Sequence, residues 1–190
     1  MKQSLSTRGI IINGASGTGK TTLAGALAER LGFPHFDLDD YYYPTQEEAG
    51  SYRFGELRPR ETILALLKKD LEKHPRFVMS GTIGSILWDF ANPLFDLAVL
   101  LFVPVEIRLE RVKARAFEQH GARIFEGGDL YDVHQQFYEH NQQYEVGFHS
   151  VSLQRHELWA KEMNCPVLRM DGTKVIGENV EDIAGFYLQM

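Results

Sequence analysis

The segment GASGTGKTTL, Gly14–Leu23, gathers glycines, a lysine and hydroxyls directly after the apolar run GIII. Gly14, Gly19, Lys20 and Thr21 fit the spacing G-x-x-x-x-G-K-[ST] of a phosphate-binding loop. Such a loop wraps a polyphosphate with its backbone N–H groups turned inward, and bulky side chains would block that approach. Gly14, Gly17 and Gly19 leave room, and Ala15, Ser16, Thr18 and Thr22 complete the candidate nucleotide-contacting set. Lys20 is placed to set its ammonium between the β- and γ-phosphates of ATP. The Thr21 hydroxyl suits Mg²⁺, a hard cation that prefers oxygen. A helix starting here adds the positive end of its dipole to the anion site.

A second group of chemistry-bearing residues lies in HFDLDDYYYP. Read as a strand, this segment puts Asp37 and Asp39 on one face, because side chains alternate. Phosphoryl transfer to a hydroxyl benefits from one carboxylate that takes the hydroxyl proton and another beside Mg²⁺. Asp39 and Asp37 are the candidates, with Asp37 joining Thr21 at the metal, although such acids also cap turns. The segment FVMSGTIG carries Ser80 and Gly81 where many phosphate-loop proteins carry an acid. Gly81 and Gly84 either offer backbone N–H groups to a substrate or simply form a turn. Candidate acceptor contacts are Asp39 and Asp40 together with Tyr42, Arg53, Arg58, Gly81 and Thr82 of the regions about 41–60 and 81–92.

Arg108, Arg111 and Arg115 are three or four residues apart and share a helical face. They either pair with Glu106, Glu110 and Glu118 or close on ATP and offset transition-state charge. The glycine-bearing stretch 116–130, which contains Arg123, reads as a lid. His134, His140, His149 and His156 lack tight metal-ligand spacing and read as structural or solvated.

These groups need elements to hold them. Strands are expected at Gly9–Asn13, His35–Asp40, Arg76–Gly81, Leu97–Pro104 and Pro166–Met170. Helices are expected after the glycine loop to Leu31, then at Arg58–His74, Val105–Gly121, Tyr131–Tyr144, Ser150–Asn164 and Glu178–Gln189. The alternation predicts an α/β fold, a five-stranded parallel sheet with helices on both faces. Ligands of such sheets bind at the carboxyl ends of the strands, where the residues above cluster.

With 190 residues and 44% hydrophobic composition, one domain, 1–190, with a substantial core is expected. A net charge of −6 argues against nucleic-acid and membrane-surface partners. The longest apolar stretch, Leu97–Val105, is too short for a bilayer span. The single Cys165 precludes an internal disulfide and suits a reducing cytoplasm.

The sequence resembles the small phosphate-loop (P-loop) kinases, the group of adenylate, shikimate and uridine kinases, and kinase-like proteins that carry no assigned substrate. The resemblance is carried by GASGTGKTTLAGALAERLG, FDLDDYYY and RLERVKAR. It implies a P-loop NTPase fold with a lid, and ATP with Mg²⁺ as cofactors. The FDLDD segment is similar to the Asp-x-Asp of shikimate kinases, which implies a base at Asp39 and a metal role at Asp37. RVKAR is similar to the Arg-x-x-x-Arg of adenylate kinases, which implies adenine packing by Arg111 and a phosphate contact by Arg115. RMDGT resembles the loop that holds adenine through its backbone, here Asp171, Gly172 and Thr173. The Asp-Gly-[aromatic]-Pro-Arg acceptor segment of adenylate-type kinases is replaced by SGTIGSILWD.

The reading that follows is a kinase moving the γ-phosphoryl group of ATP to a hydroxyl of a nucleoside-like or shikimate-like metabolite. The alternatives are a nucleoside monophosphate kinase and an ATP-binding regulatory module that hydrolyses slowly. The protein is expected to act in the cytoplasm as a monomer or homodimer.

Overall fold

The computed structural model describes residues 6–49, 54–147 and 151–190. Five parallel strands form one sheet in the order β2-β3-β1-β4-β5: β1 Arg8–Gly14, β2 His35–Asp37, β3 Arg76–Ser80, β4 Phe95–Phe102 and β5 Val167–Asp171. β1 is central, and Ile10, Ile11 and Ile12 are fully buried, as an apolar run covered on both faces should be.

The helices are α1 Lys20–Leu31, α2 Leu38–Tyr42, α3 Gln46–Ala49, α4 Arg60–Leu71, α5 Trp88–Ala91, α6 Val105–His120, α7 Tyr131–Gln142, α8 Leu153–Glu162 and α9 Ile176–Leu188. α1 buries Leu23, Ala24, Leu27 and Ala28, a four-residue recurrence, with Val180, Ile183 and Ala184 of α9 in the same core. Each such leucine contributes about 1.5–3 kcal/mol by leaving water. Gly32 ends α1 in the left-handed conformation and sends its N–H to Ala28 and Glu29 carbonyls. The opposite face of the sheet carries α4 and α8, with Ile63, Leu67, Leu71, Trp159 and Ala160 packed against Ile11, Met79 and Leu100.

Three sequence-based boundaries are corrected. The second strand stops at Asp37, where a strand through Asp40 was expected. The Asp37 carboxylate accepts the Asp39 N–H at 3.0 Å and caps α2, so the chain turns into a helix and buries Leu38 and Tyr41, three apart. Asp37 and Asp39 therefore do not share a strand face. The fourth strand begins at Phe95 rather than Leu97, directly after a short 3₁₀ turn at Asn92–Leu94. The first part of the expected lid, Ala116–His120, belongs to α6, and a 3₁₀ turn follows at Gly121–Ile124.

Candidate active site

The carboxyl end of β1 runs directly into the glycine loop. Thr18 closes that loop on itself, its N–H and hydroxyl both donating to the Ala15 carbonyl at 3.3 and 2.9 Å. Gly17 and Gly19 sit at φ 82° and 88°, a region that disfavours side chains. A Cβ on Gly17 would also lie 2.4 Å from the Arg108 carbonyl oxygen. Gly19 is the N-cap of α1 and no side chain caps that helix. The first-turn amides of α1 thus face the loop unsatisfied by protein side chains, which suits a phosphate.

Lys20 lies among three charged groups. Burial lowers the pKa of its ammonium, Asp39 and then Asp37 oppose that shift, and Arg115 adds to it. The fold thereby brings Lys20, Asp37, Asp39 and Arg115 together. The Thr21 hydroxyl donates to the Asp37 carboxylate at 2.8 Å, tying α1 to the end of β2. Among the described residues no group of three or more His, Cys, Asp and Glu could hold a metal by itself. Mg²⁺ needs no such cage, since it takes one or two protein oxygens plus phosphates and water. The adjacent hydroxyl and carboxylate of Thr21 and Asp37 fit that requirement.

The loop after β3 is fixed from several sides. The Gly81 N–H donates to the Ile12 carbonyl at 3.0 Å, continuing the ladder to β1, and the Gly84 N–H donates to the Tyr42 hydroxyl at 2.9 Å. Both amides are spent, so neither offers the free N–H that the sequence suggested for a substrate. The Tyr42 hydroxyl in turn donates to the Thr82 carbonyl at 3.3 Å, and burial pushes its pKa up to about 12. Thr82 donates its hydroxyl to the Asn13 side chain at 2.7 Å. Asp40 sits beside Asp39 in the first turn of α2. Arg58 is held by the Glu48 carboxylate at 2.6 Å and the Tyr43 carbonyl at 3.1 Å. Arg53 and His149 lie outside the described residues.

The three helical arginines part company. Arg111 and Arg115 are exposed, and Arg111 donates to the Gly17 carbonyl at 3.3 Å. Arg108 lies along the same face of α6 but, unlike the other two, is fully buried. It pairs with Glu145 at 2.6 Å, donates to the Val103 carbonyl at 3.1 Å and stacks 4.7 Å above the Tyr144 ring. Arg123 is paired with Asp129 at 2.6 Å. After β5, Asp171 accepts from the Thr173 N–H and hydroxyl at 2.8 and 2.6 Å, and the Gly172 N–H donates to the Phe102 carbonyl at 2.7 Å. This turn borders a cleft of about 490 Å³ whose walls include Thr18, Val103, Arg108, Tyr144, Asp171 and Thr173. The expected nucleotide contacts Thr18 and Asp171 thus line one cleft.

Cys165 is half-buried, and burial and nearby Asp96 push its thiol up to about 11, away from the thiolate form. One residue of the site escaped the sequence reading. His156 of α8, 1% exposed, places its ring 3.3 Å from the Thr82 hydroxyl and 2.8 Å from the Tyr144 hydroxyl. Its spacing with Trp159 and Ala160, which are also buried, was the available signal: a histidine on the inner face of a helix.

A central strand feeding a glycine loop and helix, in a parallel sheet of order β2-β3-β1-β4-β5, defines a small P-loop NTPase of the kinase-like type. The chain belongs to the AAA domain family, whose model matches residues 10–132. It is 33% identical over 181 residues to a Bacillus subtilis (strain 168) protein described as "Uncharacterized protein YqaC", covering 94% of this chain and 97% of that one. It is 29% identical over 129 residues to an adenylate kinase of Malacoplasma penetrans (strain HF-2), covering 61% and 60%. To a cytidylate kinase of Haloarcula marismortui it is 26% identical over 153 residues, 76% of each chain. The crystal structure of shikimate kinase from Bacteroides thetaiotaomicron shares the fold, with a TM-score of 0.55 at 20% identity over 96% of this chain and 99% of that one. Among the described residues no helix is long and apolar enough to cross a membrane.

Proposed function

We propose that the protein is a kinase that transfers the γ-phosphoryl group of ATP to a hydroxyl of a small metabolite. The observation that carries this reading is the 2.8 Å hydrogen bond from Thr21 to Asp37, with Asp39 and Arg115 gathered round Lys20. Lys20, the loop amides and the α1 N-terminus bind the phosphates. Thr21 and Asp37 would hold Mg²⁺, whose charge would offset that of the phosphates. Asp39 accepts the proton of the acceptor hydroxyl, and Arg115 offsets charge that grows on the transferred group. Arg111 and the Asp171–Gly172 turn flank the base of the nucleotide.

The acceptor side supports a hydroxyl compound. Arg58 is committed to Glu48, whose carboxyl it holds down at about 2, and so is not held out for an acceptor phosphate. The names of the adenylate and cytidylate kinase relatives favour a second reading, a nucleoside monophosphate kinase. The deciding experiment is an ADP-release screen over nucleosides, sugars, hydroxy acids and nucleoside monophosphates, then single-turnover transfer to the best acceptor. A positioned base contributes about 10²–10⁴-fold to rate. Asp39→Asn should lower transfer by about that factor with ATP affinity nearly intact, and Asp37→Asn should raise the Mg²⁺ requirement. A wild-type rate in Asp39→Asn with a dead Asp40→Asn would move the base to Asp40. Full activity in both would make these acids caps only and sink the proposal.

A further inference from the structure

α7 and α8 lie almost wholly beyond the span matched by the family model, which ends at residue 132, yet α8 reaches the phosphate loop. The link is a chain of buried polar groups whose donors and acceptors can be assigned by counting protons. The Gly14 N–H is a donor only, so the Asn13 atom that it meets at 2.8 Å is the carbonyl Oδ1. The same Oδ1 accepts from the Thr82 hydroxyl at 2.7 Å, and that contact uses the single proton of Thr82. The Thr82 oxygen is therefore left to accept, and the ring nitrogen facing it, His156 Nε2 at 3.3 Å, must carry a hydrogen. His156 Nδ1, 2.8 Å from the Tyr144 hydroxyl, then accepts the phenolic proton.

We propose that His156 is a positioning residue for the phosphate loop: α8 inserts a neutral imidazole, protonated on Nε2, whose bond to Thr82 sets the donor order that holds Asn13 on the first amide of the loop. The inference rests on the nucleotide-binding part of the proposed function and needs no particular acceptor. The order runs one way, from the Tyr144 hydroxyl to His156, from His156 to Thr82, and from Thr82 to Asn13. A second proton on the ring would leave two donors facing each other at Nδ1 unless the Tyr144 hydroxyl turned away. Burial of the ring opposes that proton first, and the cationic Lys20 and Arg108 act in the same sense. The Glu145 carboxylate beside Tyr144 is paired with Arg108, which also stacks on the Tyr144 ring. Tyr144 is thus clamped from above while it donates below. The same Arg108, on α6, packs its backbone carbonyl against Gly17, so the residue that clamps Tyr144 also touches the phosphate loop.

Two measurements on the full chain test this. Long-range ¹H–¹⁵N spectra report histidine tautomers, and the His156 signals are those lost in His156→Gln. The expected result is the Nε2–H tautomer at pH 7. An Nδ1–H tautomer or a doubly protonated ring overturns the proposal. Calorimetric titration with Mg·ATP then compares Thr82→Val, Thr82→Ser, His156→Phe and the double variant His156→Phe/Thr82→Val, each checked for folding by circular dichroism. Losing one neutral hydrogen bond in the chain should weaken ATP binding about three- to tenfold. Thr82→Ser, which keeps the hydroxyl, should bind as the wild type does. The double variant should bind no more weakly than the worse single one, because both break the same chain. Additive losses, or unchanged affinity in Thr82→Val, overturn the proposal, and this pair decides even where His156→Phe does not fold. A wild type that binds ATP but phosphorylates no acceptor overturns the kinase reading alone. One that binds no ATP overturns both.

Discussion

Lys20 illustrates how much one side chain in the glycine loop is asked to do. Its ammonium is drawn partly out of water, which lowers its pKa, while Asp39 and Asp37 hold the charge in place. A charge-assisted hydrogen bond from such a group is worth about 1.5–3 kcal/mol. Lys20→Ala should therefore weaken ATP binding about ten- to a hundredfold in a calorimetric titration, and equal affinity would refute the loop assignment. The motif made Lys20 and Thr21 legible because the loop's requirements are local: room for backbone, one cation, one hydroxyl. Asp37 is legible in the sequence as a candidate metal-side acid, whereas its capping of α2 and its bond to Thr21 are seen only in the fold. His156 was not legible as part of the site, because nothing in its neighbours in sequence says that its ring ends beside Thr82.

Among the elements, α2 shows why the register of the acids was misread. HFDLDD alternates apolar and polar residues over too few positions to separate a strand from a capped helix. The capping bond of Asp37 decides, since it ends β2 and starts a helical turn. α8 carries the next consequence. His156 is pushed down to about 4 from an ordinary 6.5 by burial and by Lys20 and Arg108. The unfolded chain takes up this proton near pH 6.5 and the folded chain only near 4, so the unfolded state binds more protons in between. Stability must fall as pH drops through that window, by about 3 kcal/mol at most from this group. Urea unfolding at pH 7 and pH 4.5 should show that loss in the wild type and a smaller one in His156→Gln, and equal losses would refute it. The lid expected at 116–130 is shared between the end of α6, a 3₁₀ turn and the irregular stretch up to Leu130. Arg111 and Arg115 precede it on α6, beside the loop and Lys20. Hydrogen exchange should slow across 121–130 when ATP and acceptor bind, and unchanged exchange at saturation would make the segment a connector.

At the scale of the whole molecule, the sheet order puts β1 in the centre and gathers the ends of β2, β3, β4 and β5 around one loop. A nucleotide bound as proposed would touch segments from Asp37 to Asp171, and its binding would then be coupled to global unfolding. ATP at a hundred times its dissociation constant should add about 2.7 kcal/mol to stability. For a chain of this size that is about 5–10 °C in Tm by calorimetric scanning. No shift in the wild type at saturating Mg·ATP would contradict nucleotide binding by the folded state.

The sequence by itself determined the glycine loop, the helix after it, and the alternation that forces a parallel sheet with the loop and the strand-two acids at its carboxyl ends. These follow from spacing and from burial periodicity, which neighbouring residues impose on one another. Tertiary structure alone decided that Asp37 meets Thr21, that Gly81 and Gly84 spend their amides on Ile12 and Tyr42, and that Arg108 turns inward onto Tyr144 and Glu145. It alone brought His156 from α8 to the hydroxyl of Thr82. Each of these contacts joins residues separated in the chain, and only the packed fold brings such partners within hydrogen-bond distance.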